Sequence, residues 1–94
     1  IQVTQGSIDA FDGPFDVIVI NILAEVIFLL LPGALARLAP GGRILLAGII
    51  AEREEWLQER ITALNLTISE RLSQGDWVGL ALTHHPQVEL PKHA

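Results

Sequence analysis

Asn21 is the side chain this sequence places best for chemistry. It closes the run Phe15-Asp16-Val17-Ile18-Val19-Ile20, in which only Asp16 is polar, and a second apolar segment follows at once. A buried strand ending in an amide delivers a polar group to its carboxyl end, the edge at which open α/β sheets bind ligands. The amide offers a carbonyl acceptor and two N–H donors. With neighbouring backbone carbonyls it could accept the hydrogens of a substrate amine. Asn is also a favoured helix N-cap, so it could instead close the start of the segment that follows. The two uses are compatible.

Other polar groups carry weaker signals. Gln5-Gly6-Ser7-Ile8 is a Gly-Ser turn just after a short apolar stretch; it can present backbone N–H groups to a flat heterocycle or be an ordinary surface turn. Leu38-Ala39-Pro40-Gly41-Gly42 leads from a helix into a strand, whereas phosphate-binding glycine loops run from strand to helix, so it is read as structural. His84 and His85 are adjacent, so their imidazoles point to opposite sides of an extended chain. No further ligand group surrounds them, and no metal site is expected. Glu52, Glu54 and Glu55 read as a solvated helix start, Trp56 as helix packing and Trp77 as cover for a hairpin. No nucleophile–base arrangement or carboxylate pair stands at a strand end.

The elements that must position these groups follow from periodicity. Residues 1–3 read as the tail of a strand. Pro14 pushes the chain into an extended run over 15–20, too apolar to alternate, so both of its faces are expected to be covered, as in a central parallel strand. Residues 24–38 carry apolar side chains at spacings of three and four and read as helix, with Pro32 causing a kink or a restart. The Pro-Gly-Gly turn ends it. Residues 43–49 read as a second buried strand. Residues 51–64 form a helix with acidic residues in its first turn, where the macrodipole favours them, and a core stripe of Leu57, Ile61 and Leu64. Residues 66–72 and 77–83 alternate and pair as an antiparallel hairpin around Gln74-Gly75-Asp76. Strands alternating with helices predict right-handed crossovers and a mostly parallel α/β sheet closed by that hairpin. The fold unit is residues 1–83, with 84–94 a loose tail.

Bulk properties exclude several classes. The chain has 94 residues, half of them apolar, enough for one small domain with a core. The formal charge of −5 argues against a surface that grips phosphate backbones unaided, and suits a cytoplasmic protein meeting a small molecule or a basic partner. Cysteine is absent, so neither a disulfide framework nor a thiolate metal site exists. The apolar stretch 17–35 contains Asn21, Glu25, Pro32 and Gly33, which favours a buried strand plus a core helix over a membrane span. No basic leader suggests secretion. The start at Ile1, inside a strand tail, is read as that of a fragment.

Phe15-Asp16-Val17-Ile18-Val19, then Asn21-Ile22-Leu23-Ala24, then Leu38-Ala39-Pro40-Gly41-Gly42-Arg43 and Leu46-Ala47-Gly48-Ile49 resemble class I S-adenosylmethionine-dependent methyltransferases. More narrowly, the chain resembles the bacterial family that methylates large-subunit ribosomal protein eleven. The Asn-Ile-Leu-Ala tetrad is the more specific signal, and Gly75-Asp76-Trp77-Val78-Gly79-Leu80 is similar to that family's terminal strand. The resemblance implies a partial Rossmann-like sheet, the carboxyl-terminal half of a catalytic domain. It also implies S-adenosylmethionine as methyl donor and N-methylation of lysine or α-amino groups of a ribosomal protein. On this mapping Ser7, Ile8 and Asn21 hold the cofactor, Asn21 is catalytic, and Asn21, Ile22 and Leu23 form the substrate-facing lip. The glycine-rich loop, the acidic ribose-binding residue and the substrate-recognising module of the family have no counterpart here. The fragment alone is therefore expected to be inactive, needing the missing half of the enzyme, and the strand 15–20 is expected to have an exposed edge. Neither direct nucleic-acid binding nor a membrane is expected. The alternatives are a class I methyltransferase with another protein or a small-molecule substrate, and a non-catalytic half-domain completed by a partner chain.

Overall fold

Pro14 starts an extended segment, and β2 (Phe15–Asn21) follows it directly in the computed structural model, which describes residues 1–3, 8 and 11–84. The remaining elements are β1 (Gln2–Val3), α1 (Ala24–Ala36), β3 (Leu38–Ile50), a 3-10 turn (Ala51–Arg53), α2 (Glu54–Ala63), β4 (Leu66–Gln74) and β5 (Trp77–His84). The five strands form one sheet in the order β1-β2-β3-β5-β4. β1 and β3 flank β2 in parallel, while β5 lies antiparallel between β3 and β4. The sheet is thus mixed, and the expectation of a mostly parallel one is met only in part. The closing hairpin is as read from its alternation.

The core lies between one sheet face and the two helices. Ile18, Ile20, Ile44, Leu46, Ile49, Val78, Leu80 and Leu82 point into it from the strands; Ile27, Leu31, Ala34, Leu57 and Ile61 meet them from the helices. Among the described residues nothing covers the opposite face. Val17 and Leu45 are each 36% exposed there, which corrects the expectation that both faces of residues 15–20 are covered. The run fails to alternate because this second face is apolar too.

Three further expectations are corrected. α1 runs unbroken through Pro32. Pro32 is exposed, Leu31 and Ala34 beside it are fully buried, and only one turn follows, so the missing hydrogen bond is tolerated in place. Arg37 then closes the helix, its Nη1 donating to the Gly33 carbonyl at 3.1 Å and its Nε to the Phe11 carbonyl at 2.7 Å. Leu38, expected at the end of the helix, instead pairs with Phe15 in β3; the next registered pair is Val17 with Arg43, so residues 39–42 bulge out opposite Asp16. Finally, the edge of β2 is occupied rather than exposed at its carboxyl end. β1 pairs there at Gln2–Val19 and Val3–Ile20, and Val19 N–H donates to the Ile1 carbonyl at 2.8 Å.

Of the acidic start of the second helix, Glu54 is not solvated as expected: its side chain is 12% exposed. Arg71 on β4 donates to it through Nε at 2.5 Å and Nη2 at 2.7 Å, and Gln58 adds a bond at 2.7 Å. The hydrogen bond from Arg71 holds the Glu54 carboxyl below the usual glutamate range. Trp56 packs as read, stacked on Phe28 with ring centroids 4.7 Å apart. β5 extends to His84, and the rest of the expected tail, His85 included, lies outside the described residues.

Candidate functional site

Strand direction gathers one set of groups at one edge. β1, β2, β3 and β4 all end there, and β5 begins there, with Trp77 registered opposite Ile50 and Gln74. Asn21 is the last residue of β2, registered with Ala47. It is exposed, and its amide makes no hydrogen bond among the described residues. It is also not the cap of α1. That position belongs to Leu23, whose backbone is extended at φ −61° and ψ 147° and whose side chain makes no capping bond. The cap reading of Asn21 is corrected: two residues intervene before the first helical turn, and the Leu23 carbonyl takes the Val26 and Ile27 N–H groups at 3.0 Å each.

The lip after Asn21 is held by the backbone. Ile22 N–H donates to the Ala47 carbonyl at 3.3 Å, and the Ile22 side chain packs on the core. Leu23 stands 63% exposed. Asn21 and Leu23 are therefore presented outward, with Ile22 as the anchor between them. Ile8 is buried, at 2% exposure, within the core cluster. Ser7 lies outside the described residues.

Gly48 adjoins Asn21 in space, a position that the reading of residue types missed. The β3–β5 register breaks between Leu46 and Ile49, and Gly48 in that break has φ +83°. A β-carbon built on it would lie 2.9 Å from Asn21 Oδ1 and 3.1 Å from the Ile22 carbonyl oxygen. The available signal was a lone glycine inside a strand pattern, which marks a bulge or a close backbone approach.

Beside Asn21 the open face of the sheet hollows into a cavity of about 550 Å³. Ala47, Gly48 and Gly79 line it, and Leu72 and Trp77 stand at its side. Trp77, expected to cover the hairpin, is 54% exposed. No charged side chain lines this cavity. Among the described residues no group of three His, Asp or Glu side chains could hold a metal, and no helix is long and apolar enough to cross a membrane.

Known proteins resemble this chain in sequence and fold. A family model described as ribosomal protein L11 methyltransferase (PrmA) matches residues 1–85. Proteins named ribosomal protein L11 methyltransferase are similar at 47% identity over 66 residues in Desulforapulum autotrophicum and at 40% over 80 residues in Bacillus subtilis. These matches take in 70% and 84% of this chain but 22% and 26% of the relatives, so the chain spans about a quarter of their length. A crystal structure of the ribosomal protein L11 methylase of Lactobacillus delbrueckii superposes with a TM-score of 0.81 at 29% identity, over 85% of this chain and 42% of that one. A methyltransferase from Pyrococcus furiosus shares the fold, with a TM-score of 0.64 at 24% identity over 86% of this chain and 46% of that one. The exposed amide at the end of β2 therefore stands in a chain that belongs to the ribosomal protein L11 methyltransferase family.

Proposed function

We propose that this chain forms the methyl-transfer edge of an S-adenosylmethionine-dependent enzyme that N-methylates lysine side chains or α-amino groups of a large-subunit ribosomal protein in the cytoplasm. The observation that carries this reading is the Asn21 amide: exposed, without a hydrogen-bond partner among the described residues, and next to a cavity at the carboxyl edge.

A free lysine amine is protonated at neutral pH, with a pKa of about 10.4, and only its neutral form has a lone pair to give. The Asn21 carbonyl can accept an N–H of that neutral amine and so fix the direction of the lone pair. Positioning of this kind supplies up to about 7–11 kcal/mol in favourable intramolecular models. Leu23 offers an apolar surface for the aliphatic part of the substrate, and Ile22 keeps the lip on the sheet.

Bound, the donor would supply a methyl group on a positively charged sulfur. The free amide of Asn21 fits such a ligand as a hydrogen-bonding partner, and Ser7 and Ile8 are the other residues proposed to hold it. The chain matches about a quarter of its relatives' length, so we propose further that it is inactive by itself and acts within a full-length enzyme. Calorimetric titration with S-adenosylmethionine tests this. A full-length enzyme carrying this segment should bind saturably and the 94-residue chain much more weakly. No binding to the full-length enzyme would overturn the reading.

A further inference from the structure

We infer that Gly48 is a positioning residue for methyl transfer: the side chain it lacks leaves the space in which the end of β2 holds the Asn21 acceptor. The task given to Asn21 rests on the function proposed above; the packing of the two strands does not.

The three atoms that crowd Gly48 all belong to the lip. A β-carbon there would lie 2.9 Å from Asn21 Oδ1, 3.1 Å from the Ile22 carbonyl oxygen and 3.3 Å from the Ile22 nitrogen. The exposed amide can yield by turning about its side-chain bonds, and turning it moves the acceptor. Pressure on Ile22 has the same result by another route. The Ile22 N–H bond to the Ala47 carbonyl is already long at 3.3 Å, and it ties the chain just after Asn21 to β3. Either response displaces Asn21, so both contacts reach the reaction through one amide.

The other described glycines at positive φ have no such contact. Gly41 at φ +79° and Gly75 at φ +59° have nothing within 4 Å of an added β-carbon, so backbone conformation alone accounts for them. Gly13, at φ +71°, crowds Arg37 and Phe15 at the amino end of β2. Gly48 lies instead where the β3–β5 register breaks, beside the carboxyl end of β2. Such breaks re-aim neighbouring residues and are over-represented next to active sites.

Turnover of a full-length enzyme carrying this segment tests the assignment, read as methyl transfer from S-adenosylmethionine to the ribosomal protein. Gly41→Ala meets the same backbone penalty near the start of β3, away from the lip, and should keep the parent rate. Gly48→Ala should lower kcat about tenfold or more, the scale of a small misplacement. Gly48→Asn separates space from strain, because asparagine tolerates positive φ yet brings a β-carbon. It should be as slow as Gly48→Ala while unfolding at a higher temperature. Added to Asn21→Ala, Gly48→Ala should change the rate by less than about threefold, since residues that act as a unit do not lose rate independently. A folded Gly48→Asn enzyme at the parent rate, a Gly41→Ala enzyme equally slow, or losses at positions 21 and 48 that multiply would each overturn the assignment. Asn21→Ala at the parent rate is a different failure: it overturns the proposed use of Asn21, and the role of Gly48 falls with it.

Discussion

The side-chain oxygen of Asn21 occupies the space that a β-carbon on Gly48 would need, with 2.9 Å between them. The amide at the end of β2 thus lies against a gap in β3. Gly48→Ala meets both this contact and a backbone at φ +83°, whereas Gly75→Ala, at φ +59° with nothing within 4 Å, meets only the backbone penalty. Gly75→Ala should therefore lower stability by about 1–2 kcal/mol. Gly48→Ala should lower it further, because its β-carbon also comes within 3.1 Å of the Ile22 carbonyl oxygen, and Asn21→Gly in the same chain should remove only the smaller part owed to the exposed amide. Urea denaturation of the four variants in a double-mutant cycle measures the coupling.

Glu54 makes stability depend on acid pH. Its carboxyl is held below the ordinary range by Arg71, so the folded state releases its proton more readily than the unfolded chain does. That contribution is present above the unfolded value of about 4.3 and disappears as pH falls through the lower folded value. Urea midpoints measured from pH 7 downward should drop across this window, and Glu54→Gln should drop less steeply there. Equal slopes would show that the pair with Arg71 carries no pH dependence.

Pro32 stands inside α1 on an exposed turn, where it withholds one backbone donor. Pro32→Ala restores the donor toward the carbonyl of Phe28 and should raise stability by about 1–2 kcal/mol, less than the full proline penalty because the unfolded chain also gains freedom. Thermal unfolding of the two forms decides it, and a fall in Tm would mean that the proline fits better than its helix position implies.

The fold was legible wherever one periodicity governed a segment. The alternation of residues 66–72 and 77–83 fixed the hairpin, and the three-and-four spacing that runs through Ile27, Leu30 and Leu31 pointed to the buried side of α1. It was less legible where backbone geometry decided. Pro32 argued for a break, yet burial on both sides of it holds the helix continuous. Leu38 fits the apolar spacing of the helix, but Arg37 closes the helix one residue earlier and frees Leu38 to pair with Phe15. The apolar run over 15–20 argued that both of its faces are covered, yet the described helices pack on only one and leave Val17 36% exposed on the other.

The site was legible through its polar end. Asn21 stood out because an amide follows five apolar residues in six, and the structure puts it at the edge where the strands end. Of its two readings, the cap is removed by Leu23, whose extended backbone caps the helix without a side chain. Gly48 was hidden because what matters there is the absence of a side chain beside Asn21, and a list of residues able to do chemistry does not include glycine.

The rate of methyl transfer by Asn21→Ala, set beside its stability, decides whether this amide is the working group. The side chain is exposed, caps no helix and has no partner among the described residues, so its removal should shift stability by no more than about 0.5 kcal/mol. In a full-length enzyme carrying this segment, transfer of labelled methyl from S-adenosylmethionine to the ribosomal protein should then fall about a hundredfold, the scale of a lost positioning contact. An unchanged rate in a folded Asn21→Ala enzyme would contradict the mechanism proposed here.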